Sequence, residues 1–154
     1  MASQIDSIDR RILAELQLDG RLSIVELASR IHLTKTPCTE RVRRLERTGI
    51  IKGYRADLDA EALGAGFVII VHVTLAKTSE DAFEQFNTAV KSIPEIQSCF
   101  LLAGQFDYML MVRTTDITHY RNVLGDKIGQ LPGVQQTNSF VAMEIVKDNR
   151  SIPL

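Results

Sequence analysis

The chain has 154 residues, 45% of them apolar and 24% charged, enough for one generous domain or two small ones with cores of their own. Its formal net charge of −1 conceals two unlike parts: residues 1–55 carry 11 Lys and Arg against 7 Asp and Glu, a balance of +4, and residues 56–154 carry 7 against 12, a balance of −5. No charged-then-apolar leader opens the chain, and its longest apolar run, 67–71, is too short to span a bilayer. Cys38 and Cys99 lie 61 positions apart outside any CxxC or Cys/His cluster, so the expectation is a cytoplasmic protein with reduced thiols, without a metal site and without a membrane partner.

The basic part reads as three helices. Ile8, Ile12, Leu13 and Leu16 recur at helical spacing after Asp6 and Ser7, either of which can cap the start, and Gly20 follows where helices stop. Ser23 and Glu26 have capping-box form for a short second helix to about Arg30. Thr34 can cap a third, whose first turn tolerates Pro37 and which Gly49 ends. On a helical wheel Cys38, Val42 and Leu45 share one narrow stripe, the core face. Thr36, Glu40, Arg43 and Arg47 lie opposite, flanked by Thr39 and Arg44, with Lys35 in the first turn.

A short helix, a turn of three or four residues and a helix with a basic outer face form a helix-turn-helix, whose second helix enters the major groove of double-stranded DNA by its N-terminal residues. The alternative is an arginine face that only solvates its helix through local pairs such as Glu40 with Arg44. The coincidence of charge sign, capped short helix and turn spacing favours a DNA reader. Lys35, Thr36, Thr39, Glu40 and Arg43 are candidates for base edges; Arg44 and Arg47, with Arg21 as a weaker candidate, for phosphates.

The stretch IIKGYRADL after the third helix reads as a strand leading into a linker. FVIIVHVTL, 67–75, is β-branched and apolar on both faces, so both faces of that strand need cover. Ala82, Phe83, Phe86, Ala89, Val90 and Ile93 mark a helix; EIQSCFLLA and FDYMLMVRT read as strands joined at a tight Gly104-Gln105 hairpin. A helix at Ile117, Tyr120, Leu124 and Ile128 and a strand over about 134–146 complete a βαββαβ order. SIPEIQS at 92–98 and QLPGVQQ at 130–136 echo one another 38 positions apart between helix and strand. The pattern fits a ferredoxin-like sandwich, whose helices cover one sheet face only. Phe106, Tyr108, Leu110 and Val112 alternate with Asp107, Met109, Met111 and Arg113, so one set meets the helices and the other a second copy of the chain. Asp107 sits beside methionines, where a carboxylate needs a partner: a ligand ammonium, with amides around Gly104 for its carboxylate, or merely its own turn.

Two stretches carry a family resemblance: DRRILAELQLDGRLSIVELASRIHLTKTPCTERVRRLERTGIIKGY and AGQFDYMLMVRTTDITHYRNVLGDKIGQLPGVQQTNSFVAMEIVK. Together they resemble the Lrp/AsnC, or feast/famine, transcription regulators over nearly the whole chain. The resemblance implies an α+β protein: an N-terminal helix-turn-helix (winged-helix-like) DNA-binding domain at 1–57, a linker at 58–66, and a C-terminal βαββαβ domain at 67–154 that binds the effector. It further implies a nucleoid-associated homodimer assembling to octamers or related rings, with amino acids bound between dimers. The family's hairpin glycine and FDY aspartate fall on Gly104 and Asp107, and its apolar pocket positions on Leu101, Ile117, Phe140, Val141 and Ala142. Those apolar positions favour leucine, methionine or a similar aliphatic effector, and no other cofactor is expected. His32 stands where the family has a turn glycine, and Gln105 where an aspartate is expected, so one hairpin charge is missing.

An enzyme is not expected. The chain has no GxSxG, phosphate loop or dinucleotide fingerprint, and no nucleophile–base pairing arises from Cys38, Cys99, His32, His72 and His119. Cys38 and His72 read as core residues and His119 as a helix-surface residue. An amino-acid sensor acting through protein partners is the other rival, separable by salt-dependent duplex binding.

Overall fold

The computed structural model describes residues 5–149 and 151–154, and the chain forms two compact units: one ends at Asp57 and takes in Asp148–Leu154, the other is Leu58–Lys147.

The first unit holds α1 (Ser7–Leu18), α2 (Ile24–Arg30) and α3 (Lys35–Arg47). Asp6 caps α1 in a reciprocal box with Asp9, and Ser23 caps α2 in the same way with Glu26, so the orphan amides of both first turns find carboxylate or hydroxyl acceptors. Thr34 precedes α3 in extended geometry, but its side chain makes no capping bond. Ile12, Leu27, Cys38 and Leu45, each no more than 1% exposed, close the core, with Ile50 and Ile51 packed against it. Two helices stop in the same manner. Gly49 after α3 has φ 73°, and His32 after α2 has φ 59°. Around His32 the Leu33 amide donates to the Ala28 carbonyl and the His32 amide to that of Ser29, the paired bonds of a Schellman stop.

The strand expected over IIKGYRADL is not formed, since an extended segment needs a neighbouring strand and none of the described residues supplies one. Instead, Tyr54 donates its hydroxyl to Glu46 at 3.0 Å, and burial with this contact pushes its pKa up to about 12. The last seven residues also depart from expectation by joining the first unit. There the Ile152 amide donates to Gln17 Oε1 at 2.6 Å and Gln17 Nε2 returns a bond to the Ile152 carbonyl at 3.0 Å.

The second unit follows the predicted order: β1 (Phe67–Leu75), α4 (Glu80–Val90), β2 (Ile96–Leu101), β3 (Tyr108–Thr114), α5 (Ile117–Asp126), a 3-10 turn (Ile128–Gln130) and β4 (Val134–Val141). Residues 58–66, expected as a linker, belong to this unit as a turn-rich approach to β1, tied by the Ala65 amide to the Ala60 carbonyl at 2.7 Å. The sheet is wholly antiparallel in the order β2-β3-β1-β4. Ile69, Val71, Val73 and Leu75 of β1 and Tyr108, Leu110 and Val112 of β3 pack with Phe86, Val90, Tyr120 and Val123 of the helices. The echoed Pro motifs perform the same task twice: Ile93 and Leu131 are buried, and their carbonyls accept from the Ile96 and Val134 amides as each strand begins.

Three features differ from expectation. β4 ends at Val141 rather than near 146, because the Ala142 amide already bonds the Val68 carbonyl and β1 begins one residue earlier, leaving nothing beyond to pair. The β2–β3 connection is wider than a Gly-X turn: the Leu102 amide donates to the Asp107 carbonyl at 2.8 Å, and Gly104 is not among the residues of positive φ. His72 is half-buried on the open sheet face, where it stacks on Phe106 at a centroid distance of 3.6 Å and meets Phe140 at 4.9 Å. Phe106 is thereby drawn to the open face and not, as its alternation predicts, towards the helices.

Candidate functional site

The outer stripe of α3 presents Thr36, Glu40, Arg43 and Arg47 to solvent and Lys35 is exposed in its first turn, while Cys38, Val42 and Leu45 seat the inner stripe in the core. Two arginines, a threonine and a glutamate thus share an exposed helical face, a surface able to meet phosphates and base edges. Arg21 is exposed in the α1–α2 turn. Thr39 is half-buried, and its hydroxyl donates to the Lys35 carbonyl at 2.8 Å.

Arg44 does not join this face. Its Nη2 lies 2.5 Å from Asp9 Oδ2, and Arg41 Nη1 lies 2.8 Å from Asp9 Oδ1 and 2.7 Å from Asp6 Oδ2. The phosphate role expected for Arg44 and its pairing with Glu40 are therefore both replaced by an ion pair inside the unit. The cause is burial: the Asp9 side chain is 1% exposed, and a carboxylate withdrawn from water holds whatever cations reach it. Breaking one side of such a buried pair typically costs about 3–5 kcal/mol. The box bond from the Asp9 amide, followed by the Arg41 contact, holds the Asp6 carboxyl below its ordinary range, and the two aspartates raise Arg41. Asp9 was legible only indirectly, as a carboxylate three and four residues before Ile12 and Leu13 on an otherwise apolar stripe.

The residues expected at the effector site fall into two groups within the second unit. Leu101, Gly104, Gln105 and Asp107 lie around the β2–β3 connection, beside the C-terminal end of β1. Ile117 opens α5, Phe140 and Val141 close β4 towards the N-terminal end of β1, and Ala142 follows directly. The register pairs Tyr108 with Val73 and Val141 with Ile69. At roughly 3.3 Å per residue, those levels are about 13 Å apart along the strand. Only Phe140 is linked to the connection, through the His72 and Phe106 rings. An open depression of about 500 Å³ lined by Glu61, Gly64, Gly66, Phe67, Thr115, Ala142 and Met143 touches one of the eight, Ala142.

Asp107 is half-buried and anchored on both sides of its backbone: its amide donates to the Val73 carbonyl at 3.0 Å and its Oδ2 accepts from the Leu75 amide at 2.7 Å. The carboxylate thus ties the connection to β1 and holds a negative charge at that end of the sheet. Leu101, Ile117, Phe140 and Val141 are each about half exposed, at 46–54%. Phe100 and Phe140 are exposed on the open sheet face, flanking half-buried Met109 and Met111. That face is apolar, and among the described residues no helix covers it. No helix among the described residues is long and apolar enough to cross a membrane, and no group of three His, Cys, Asp or Glu side chains is placed to hold a metal ion.

A trihelical unit with a polar, cationic outer helix, carried on the same chain as an antiparallel α+β unit, defines a helix-turn-helix DNA-binding regulator with a separate ligand-binding domain. Residues 5–52 match the winged helix-turn-helix DNA-binding family, and residues 68–152 match the Lrp/AsnC ligand binding domain. The chain belongs to the Lrp/AsnC family of transcriptional regulators and is not an enzyme. It is 51% identical to the leucine-responsive regulatory protein of Escherichia coli K12 over 96% of this chain and 90% of that one. A transcriptional regulator of Neisseria meningitidis solved as its L-methionine complex superposes with a TM-score of 0.90 at 35% identity, covering 97% of each chain. The feast or famine regulatory protein of M. tuberculosis, also complexed with L-methionine, gives 0.86 at 31% identity over 97% of this chain and 99% of that one.

Proposed function

We propose that the chain is a sequence-specific regulator in which residues 1–57 read duplex DNA and residues 67–154 bind a small aliphatic amino acid, leucine, methionine or a near relative, whose binding changes oligomeric state or DNA affinity. The observation that carries the first part is the division of α3 into a fully seated inner stripe and an exposed outer one. Lys35, Thr36, Thr39, Glu40 and Arg43 meet bases in this reading, while Arg47 and Arg21 meet phosphates.

The second part rests on the split of the effector residues between two levels of the sheet. A site that one chain leaves in two pieces is completed by another copy, and the uncovered apolar face carrying Phe100, Met109 and Met111 supplies a surface for dimerisation. Higher rings then bring the Asp107 connection of one dimer to another. Asp107 keeps Oδ1 outside its bond to Leu75, available to a ligand ammonium, while apolar positions such as Leu101 and Ile117 accept an aliphatic side chain. The relatives solved with L-methionine support this choice over a charged effector.

Sedimentation across protein concentration, without and with millimolar leucine, methionine, alanine, lysine or asparagine, tests the reading. A redistribution of oligomers by the aliphatic members, abolished by Asp107→Ala in a chain that remains folded, is expected. A normal response in Asp107→Ala removes that carboxylate from the site, and a response confined to lysine or asparagine overturns the aliphatic assignment.

A further inference from the structure

We propose that Asp9 is a specificity-determining positioning residue for DNA reading: it withholds Arg41 and Arg44 from the phosphate backbone and fixes the rotation of α3 about its own axis. The inference rests on the proposed role of α3.

Cys38, Val42 and Leu45 seat one narrow stripe of α3 in the core. On the helical wheel Arg41 and Arg44 lie on one flank of that stripe, about 60° and 120° from it at 100° per residue. Both reach a single carboxylate on α1, through separate oxygens at 2.8 and 2.5 Å, and Arg41 also reaches the Asp6 carboxylate at 2.7 Å. Asp9 is itself held by the α1 cap, accepting from the Asp6 amide at 3.2 Å while its own amide donates to Asp6 Oδ1 at 2.8 Å. The anchor is therefore part of a helix terminus and cannot swing to follow α3. A fork held at two points on one flank resists rolling, and rolling would exchange Thr36, Glu40 and Arg43 for their neighbours at the groove.

The same contacts remove two cations from the non-specific account. Each arginine placed on a phosphate releases counterions and steepens the salt dependence of binding by about 0.9 in log–log slope. Free Arg41 and Arg44 would strengthen binding to every sequence equally and dilute the contribution of the base-facing residues. The buried carboxylate thus raises specificity by restraint, without contact with DNA.

The test uses the full chain and two duplexes: one of random sequence, and one selected from a random pool by the unmodified protein. Affinities are measured by fluorescence anisotropy between 50 and 200 mM salt. Asp9→Asn is expected to lower the selected-to-random affinity ratio at least tenfold. It is also expected to steepen the random-duplex slope by about one per recognition helix, since Arg44 loses its carboxylate while Arg41 keeps Asp6; one added phosphate contact corresponds to about a 3.5-fold greater loss across that salt range. A preserved ratio overturns the proposal, as does an equal loss on both duplexes with unchanged slope, the mark of simple destabilisation.

Should Asp9→Asn unfold the unit by circular dichroism, the triple variant Asp9→Asn, Arg41→Gln, Arg44→Gln carries the test, since it leaves no buried charge unpaired: Asp6, which loses its Arg41 contact, is exposed and still accepts from the amide at position 9. It is expected to keep the random-duplex slope of the unmodified protein while losing the selected-site ratio. A slope reduced by one or more shows that Arg41 and Arg44 already sat on phosphates, and overturns the proposal while leaving DNA binding intact. An unmodified chain that binds neither duplex overturns the reading of α3 itself.

Discussion

His32 occupies the left-handed position of the α2 stop at φ 59°, a conformation that costs a residue with a Cβ about 1–2 kcal/mol. Glycine loses more backbone entropy on folding, about 0.5–1 kcal/mol, so the two terms partly offset. His32→Gly is therefore expected to stabilise the first unit by about 0.5–1 kcal/mol, read from the urea midpoint of the helical signal; an unchanged or lower midpoint would mean that the imidazole contributes contacts of its own. At this scale the sequence was most informative where a residue answers to its immediate neighbours. The Ser23–Glu26 box and the outward turn of Arg43 follow from spacing of four or fewer, whereas His32 stood out only against the family's turn glycine. Arg44 was not legible, because its partner Asp9 lies 35 positions away and only the packed helices bring them together. His72 misled for a related reason: its place on the open or the closed sheet face depends on which side the helices pack, and β1 is apolar on both.

The elements show the same division. Lys127 of the α5 end reaches Glu95 at 2.6 Å, and this bond, with the charges of Lys127 and His119, holds the Glu95 carboxyl below its ordinary value of 4.5 against the opposing effect of burial. Because the folded value is depressed, the stabilisation is fully present above pH 4.5 and disappears as the pH falls through the lower folded value. Glu95→Gln should flatten the pH dependence of stability below pH 4.5, measured as urea midpoints of the second unit; an unaltered acid limb would show that other carboxylates govern it. Glu95 enters β2 and Lys127 leaves α5, so the pair ties the first echoed motif to the end of α5. The strands themselves were readable from alternation and β-branching, and the helices from their apolar spacing. Where reading failed, pairing partners decided: β4 could not continue past β1, IIKGYRADL had no neighbour, and the Gly104 connection widened because Leu102 and Asp107 close it from outside.

For the molecule as a whole, the open sheet face makes the strongest demand. Val68 and Ile70 of β1 share it with Met109, Met111 and the exposed rings of Phe100 and Phe140, and none of these side chains belongs to the helix-side core except through the strands that carry them. Met109→Asp places a charge on this face without touching Phe86 or Tyr108. It should lower the sedimenting mass towards the monomer while leaving the circular dichroism of the chain intact; retention of the assembly would direct the search for the interface elsewhere. The division of the residues proposed for the effector site between two sheet levels was beyond the sequence, since positions near one another in a motif do not reveal which strand end they occupy.

Gln17 and Ile152, 135 positions apart, pair their amides within one unit. During synthesis at roughly 5–20 residues per second, Gln17 therefore waits on the order of ten seconds for its partner. The core formed by Ile12, Leu27, Cys38 and Leu45 draws on no residue of that late segment, so the three helices can pack before it emerges. The tail then closes over a finished surface. Such a contact acts as a latch, slowing the opening of the helical unit while leaving its rate of formation unchanged.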